Sequence, residues 1–298
     1  MVTIIVNGKK AGIPMVRSAI ATLREEVADD VSVRVTYEYG DVARFVDEAI
    51  AQGVQRIIIG GGDGSVNEVV DALAKLQRDV RPELAILPLG TANDFATACE
   101  IPLESLAALR FALSGSSTPV DIVKANDRHF MNMATAGFGA QVTVDTPVEL
   151  KNFLGGGAYT LTGVLKAIDF VPYVTNISTP ERSFDGLNIV AGAICNGKQA
   201  GGGQVLAPDA LINDGLLDVL SISQFNLVDI PQVIDEINNP SGNGDFIKYV
   251  QTPWVESISE MLIPVNLDGE PYSSKKIRFE VVPLAIDLVI PKDSACLK

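Results

Sequence analysis

From Val2 to Gly115 the chain switches between two hydrophobic periods. Short, nearly continuous apolar runs such as VTIIV, RIIIG and ELAILP read as strands buried on both faces. Between them apolar residues fall three and four apart, the spacing of a helix lying on a core. The pattern predicts strands over residues 2–8, 31–37, 56–61 and 83–90, and helices over 14–28, 41–53, 65–76 and 103–115. Pro14 suits a first helical turn, Asp41 an N-cap, and Gly53 the position past a helix end. Strand–helix alternation with such strands predicts a doubly wound parallel sheet. Ligands bind such sheets beyond the carboxyl ends of the strands.

After Pro119 the texture changes. VDIVKAND, HFMNMATAGF, LNIVAGAICNG, LLDVLSIS, MLIPVNLDGE and IRFEVVP read as strands, with helices expected only at residues 159–170 and 227–238. The expected organisation is an α/β domain over residues 1–120 and a β-rich antiparallel sandwich over 121–284, with the active site in the cleft between them. The last strand-like piece, LAIDLVIP, belongs either to the sandwich or back with the first domain, over about residues 285–298.

Composition narrows the chemistry. The chain has 298 residues, 47% hydrophobic and 20% charged, a globular balance. A net charge of -14 argues against nucleic-acid binding, which needs a basic footprint, and suits divalent cations. No apolar run has the length of a membrane span and the N-terminus lacks a basic leader, so a cytoplasmic protein is expected. Three scattered cysteines form no CxxC pair, and a single histidine, His129, leaves no room for a His-rich metal site. His129 reads as structural.

Two glycine turns carry the strongest signal. IIIGGGDGSVNEVV runs from strand to helix, a place where backbone N–H groups and the helix dipole favour a phosphate. It lacks the lysine of a Walker loop and matches GxGxxG only loosely. The plain alternative is a tight turn without a ligand. The next strand ends in PLGTANDFA, which adds Thr91 and Asp94 beside it.

These motifs resemble the diacylglycerol kinase catalytic superfamily. NMATAGFGAQVT, CNGKQAGGGQVLAPDALINDGLLDV and NLDGEP make the chain similar to the bacterial YegS-like lipid kinases over nearly its whole length. The resemblance implies ATP contacts at Thr36, Gly60, Gly61, Gly62, Asp63, Gly64, Ser65, Val66 and Thr91. Asp63 is expected beside the phosphates, acting through Mg²⁺ or water, with Asp94 and Asp121 as further acidic candidates. Glu270 matches the family's proton acceptor, and Asp268, two residues earlier, is a second acidic group. By itself Asp-Gly also signals a hairpin turn. The resemblance places a second cation, Mg²⁺ or Ca²⁺, at Asp214 and the carbonyls of Leu211 and Leu216; here an Asn-Asp-Gly turn is the plain reading.

The implied activity is phosphorylation of a free hydroxyl on a glycerolipid such as phosphatidylglycerol or diacylglycerol, with transient membrane contact. Residues 153–165 are an apolar candidate lining for the lipid. Lys198 and Gln199 are candidates for a phosphate or headgroup, against a solvated loop. The first strand ends in NGK, a departure from the NPxSG of diacylglycerol and sphingosine kinases. Two other readings stay open: a soluble-substrate kinase resembling NAD kinase, and a nucleotide- or lipid-binding regulator without catalysis.

Overall fold

The computed structural model describes residues 1–27, 31–137 and 171–298. The helix expected over 159–170 and the lipid lining expected over 153–165 lie outside the described residues. The chain divides into two compact units. The first comprises Met1–Ile122, Ile212–Asp214 and Pro283–Lys298; the second comprises Val123–Leu211 and Gly215–Val282.

The first unit begins with β1 (Val2–Val6), α1 (Gly8–Ala11), α2 (Pro14–Glu26), β2 (Val31–Val35) and α3 (Asp41–Ala51). It continues with β3 (Arg56–Gly61), α4 (Asp63–Ala74), β4 (Glu83–Pro88), α5 (Asp94–Ala98) and α6 (Ser105–Ser114). β5 (Ser117–Ala125) leads out of it. The strands run parallel in the order β2-β1-β3-β4, with Ile4 paired to Ile58 and Ile58 to Ala85. Ile4, Ile58 and Ala85 form a buried cluster with Val16 and Leu23 of α2 and Leu109 of α6. The intervening Ile5, Ile57 and Ile59 are equally buried, and α3 and α4 lie against β1 and β3. Helices on both faces explain why these strands are apolar throughout.

The second unit carries β6 (Arg128–Phe130), β7 (Met133–Gly137), β8 (Tyr173–Ser178) and β9 (Ser183–Cys195). There follow β10 (Gln199–Ala200), β11 (Gln204–Val205), β12 (Leu217–Ser223), α7 (Ile230–Asn238), β13 (Ile247–Thr252) and β14 (Trp254–Leu267). The long β15 (Glu270–Val289) then takes the chain back into the first unit. β14 pairs antiparallel with β7, β8 and β15, and β9 with β7, β8 and β12. The buried core includes Phe130, Ile194, Leu217, Val255, Ile277 and Phe279, with Phe130 and Phe279 edge to face at 6.3 Å.

One expectation left open takes one of its two alternatives, and two local expectations are corrected. LAIDLVIP belongs to the first unit, where Leu288 of β15 pairs parallel to Leu84 of β4. Two arginines fix it there: Arg78 holds Asp287 through two 2.6 Å bonds, and Arg81 Nη1 donates to Ala285 O at 2.7 Å. Asp41 is not an N-cap. Gly40 holds that position, and Asp41 opens α3. Its carboxylate instead accepts from the preceding Tyr37 N (2.6 Å) and Glu38 N (3.0 Å). HFMNMATAGF is not one strand. It breaks between Phe130 and Met133, where three backbone N–H groups turn to a carboxylate described below.

Candidate functional site

In the first unit the carboxyl ends of β1, β2, β3 and β4 are tied together by short polar contacts. Asn7, just beyond β1, donates its backbone N–H to Gly60 O at 2.8 Å and its Nδ2 to Ser65 Oγ at 3.2 Å. Its Oδ1 accepts from Lys9 N at 3.1 Å and so caps α1. Gly8 N donates to Thr36 Oγ1 at 3.1 Å. Thr36 therefore stands one residue past β2, beside the start of α1 and two residues from the contact that Asn7 makes with the glycine turn.

The two glycine turns touch each other. A Cβ on Gly90 would lie 2.6 Å from Gly62 Cα, and one on Gly62 would lie 3.0 Å from Gly90 Cα. Gly61 has the side chain of Ser65 where its own Cβ would be. The glycines thus let two loops close on one another. The second turn is self-braced. Asn93, in the left-handed region at φ 53°, accepts from Gly90 N (2.7 Å) and donates to Gly90 O (3.1 Å).

Asp63 spans both turns. It is the first residue of α4, half-buried, and its carboxylate accepts from Asp94 N (3.3 Å) and Phe95 N (3.1 Å) at the start of α5. Ser65 and Val66 are buried and bond back to Gly62 O, whereas Thr91 is exposed. The structure therefore gathers Thr36, the 60–66 turn and the 90–94 turn at one end of one sheet. It also adds Asn7 and Asn93, which the sequence did not single out, and Asp41, which it offered only as an N-cap. Asp41 holds the 36–40 loop, and the bond from Tyr37 N, with help from Arg44 and Glu38 N, lowers its pKa to about 2.

Asp121 has a different place. It is wholly buried, and its carboxylate accepts from Leu284 N at 2.7 Å, anchoring the returning end of β15. Asp94 is buried at the head of α5.

In the second unit the NLDGE turn is a two-residue hairpin closed by the Leu267–Glu270 pair. Asp268 and Gly269 take φ of 48° and 99°, both in the left-handed region that Asp-Gly hairpins use. Asn266 Oδ1 accepts from Gly269 N at 2.7 Å. The Asp268 carboxylate accepts from three successive backbone donors, Met131 N (2.8 Å), Asn132 N (2.9 Å) and Met133 N (2.7 Å). Asn132 in turn donates Nδ2 to Gln199 O at 2.9 Å, and Asn196 Nδ2 donates to Met131 O at 2.7 Å. Three segments far apart in the chain are knotted at this turn. Glu270 is the next residue and its side chain is exposed.

Gln199 belongs to this knot through its carbonyl, while Lys198 bonds outside it. Lys198 O accepts from Leu206 N at 3.0 Å, and the three glycines that follow all have positive φ, closing the β10–β11 turn. Of the expected cation ligands, Asp214 lies in the first unit, and Leu211 and Leu216 in the second. The segment at Ile212 is held by Asp121 N donating to Ile212 O (2.6 Å) and Ile212 N to Cys296 O (2.9 Å). No group of three or more His, Cys, Asp or Glu side chains suited to a metal occurs among the described residues.

Comparison with known proteins decides the family. Residues 1–125 match the diacylglycerol kinase catalytic domain, and residues 133–290 the YegS C-terminal NAD kinase beta sandwich-like domain. The probable lipid kinase YegS-like of Shewanella frigidimarina is 52% identical, covering 99% of this chain and 96% of its own. The chain belongs to the YegS-like lipid kinases. The Serratia proteamaculans relative of the same name is 46% identical over 99% of this chain and 95% of its own. A diacylglycerol kinase-like chain from Bacillus anthracis strain Sterne superposes with a TM-score of 0.80 at 26% identity, covering 98% of this chain and 96% of that one. The protein is thus a lipid kinase with a diacylglycerol kinase catalytic domain followed by a β-rich domain. No helix among the described residues is long and apolar enough to cross a membrane.

Proposed function

We propose that this lipid kinase transfers the terminal phosphoryl group of ATP to a free hydroxyl of a glycerolipid of the phosphatidylglycerol or diacylglycerol type. The observation that carries the reading is the interlocked pair of glycine turns at the carboxyl ends of β3 and β4. Beside them lie the N-terminus of α4 and the exposed Thr91 side chain, a setting suited to phosphate. Thr36, Gly60 to Val66 and Thr91 line the nucleotide.

Glu270 takes the proton from the attacking hydroxyl. Its exposure at the tip of a braced hairpin supports that role. Asp268 holds the tip rather than reacting, because its carboxylate already accepts three N–H bonds.

Mg²⁺ fits the first unit as a shared ion, not as a caged one. Each oxygen of Asp63 accepts one N–H and keeps a lone pair, and Mg²⁺ commonly takes one or two carboxylates with the rest from phosphates. Asp63, with Asp94 beside it, would hold the ion, which when bound offsets the charge on the transferred phosphoryl group. A second hard cation, Mg²⁺ or Ca²⁺, would be held by Asp214 and the carbonyls of Leu211 and Leu216 as a structural ion. The protein works in the cytoplasm and meets the membrane only transiently.

The test is a kinase assay with the purified chain, radiolabelled ATP, Mg²⁺ and a panel of lipids in mixed micelles, with Asp63→Ala as control. A labelled lipid that disappears in the control supports the reading and names the acceptor. Label appearing only in soluble acceptors overturns it. For the second cation, Asp214→Ala should lower thermal stability in Mg²⁺ or Ca²⁺ while leaving the KM for ATP unchanged.

A further inference from the structure

The loop after β2 carries two tyrosines that the fold does not use. Tyr37 is 97% exposed and Tyr39 91%. Each ring lies in water and adds almost nothing to the core. The backbone beneath Tyr37 is nevertheless held. Tyr37 N donates to Asp41 Oδ2 at 2.6 Å, and Glu38 N donates to the same oxygen at 3.0 Å. On the other side, Thr36 N donates to Val6 O at 3.0 Å, and Thr36 Oγ1 accepts from Gly8 N. A bare aromatic ring on a pinned backbone can receive a flat ligand with little further loss of conformational entropy.

The position of Tyr37 relates it to the glycine turns. Val6 of β1 pairs with Val35 of β2 on one side and with Gly60 of β3 on the other. The bonds from Thr36 N to Val6 O and from Asn7 N to Gly60 O carry both ladders one step further. The end of β2 and the first glycine turn are thus level with each other. They stand two strand spacings apart, about 10 Å. A nucleotide with its phosphates at Gly60 to Ser65, lying across Asn7 to Thr36, brings its base to the next residue, Tyr37.

We propose that the ring of Tyr37 is the platform on which the adenine of ATP stacks. The inference rests on the reading of Thr36 and the glycine turns given above and deepens it: it names the group that holds the base. Stacking tolerates any base, because every base has a π face. Tyr37 therefore contributes affinity for the base as a whole, and a large purine gains more than a small pyrimidine. Tyr39 serves as the comparison. It is nearly as exposed, but it lies two residues further from Thr36, and the Asp41 carboxylate holds the N–H groups of Tyr37 and Glu38.

The test is titration calorimetry in Mg²⁺ with ATP, UTP and inorganic tripolyphosphate. It compares the wild type with Tyr37→Ala, Tyr37→Phe and Tyr39→Ala, and urea unfolding checks that each variant is folded. Tyr37→Ala should weaken ATP about tenfold or more, within the ~5–150-fold that a base stack contributes. It should weaken UTP less and tripolyphosphate not at all. Tyr37→Phe should bind ATP as the wild type does, and Tyr39→Ala should change little. In Tyr37→Trp, ATP should quench the new tryptophan fluorescence and tripolyphosphate should not.

Equal ATP affinity in Tyr37→Ala and the wild type overturns the inference while the nucleotide reading stands. So does an equal loss for ATP and tripolyphosphate, which makes Tyr37 a support of the loop, and so does a loss confined to Tyr39→Ala. A wild type that binds tripolyphosphate but gains nothing from the base overturns it as well. A wild type that binds none of the three overturns the nucleotide reading itself, and the stacking with it.

Discussion

Asp63 and Asp268 are acidic residues of glycine-containing turns, one in each unit, and both spend their carboxylates on backbone N–H groups. Asp63 takes two donors from the head of α5, and Asp268 takes three from the break between β6 and β7. The surroundings then diverge. Around Asp63 the close fit is glycine against glycine. Around Asp268 the fit is a knot of asparagines, and what faces outward is one carboxylate, Glu270. An aspartate in a motif is thus as often the brace as the reagent. A buried or half-buried carboxylate that collects N–H donors stiffens its turn, and chemistry passes to the group it leaves uncovered.

The contrast predicts its largest effect at Glu270. Glu270→Gln should lower kcat by about 10²–10⁴-fold, the range for losing a positioned base, with ATP affinity unchanged by titration calorimetry. Turnover near the wild-type rate would remove Glu270 from the chemistry. Asp268→Ala should act on stability first. Three N–H donors lose a charged acceptor, so urea unfolding should show a loss of about 3 kcal/mol. A variant as stable as the wild type but inactive would make Asp268 a reagent and collapse the comparison.

In the first unit, Gly90→Ala presses a methyl group against Gly62 Cα. The two turns must part, and overpacking of this sort costs about 1–3 kcal/mol. The KM for ATP should rise about tenfold or more with little change in lipid affinity. An unchanged KM would mean that the closeness of the turns is irrelevant to the nucleotide.

The smallest effect concerns Asp41. Its pKa falls from 3.8 to about 2 through the bond from Tyr37 N, so its brace on the 36–40 loop is complete above about pH 4 and is lost as pH falls through about 2. Asp41→Asn should remove that part of the acid sensitivity and raise the KM for ATP slightly at neutral pH. A stability curve against pH that is superimposable on the wild type would separate Asp41 from the loop.

Much of the site was legible because turns announce themselves locally. Four glycines around Asp63 and the Asp-Gly of the hairpin need special backbone geometry, and few other residues supply it. The binding of Asn7 to Ser65, or of Asn132 and Asn196 to the Asp268 knot, left no such trace. Those asparagines are ordinary polar residues whose partners lie 58 and 65 or more positions away. Asp41 misled for a local reason: it sits where an N-cap belongs, but Gly40 caps the helix and the carboxylate reaches backward.

The sequence by itself determined the order of strands and helices in the first unit, the antiparallel character of the second, and the turns at Gly60 to Gly64 and at Asp268–Gly269. Hydrophobic period and φ > 0 are properties of neighbouring residues, and they can be read in a line. Tertiary structure decided which carboxylates are spent and which is exposed, and that LAIDLVIP closes the first sheet. Asp121 meets the N–H of Leu284 across 163 positions, and Leu288 meets Leu84 across an even longer span. Such pairings are chosen by shape and burial in the folded chain, where distance along the sequence no longer counts.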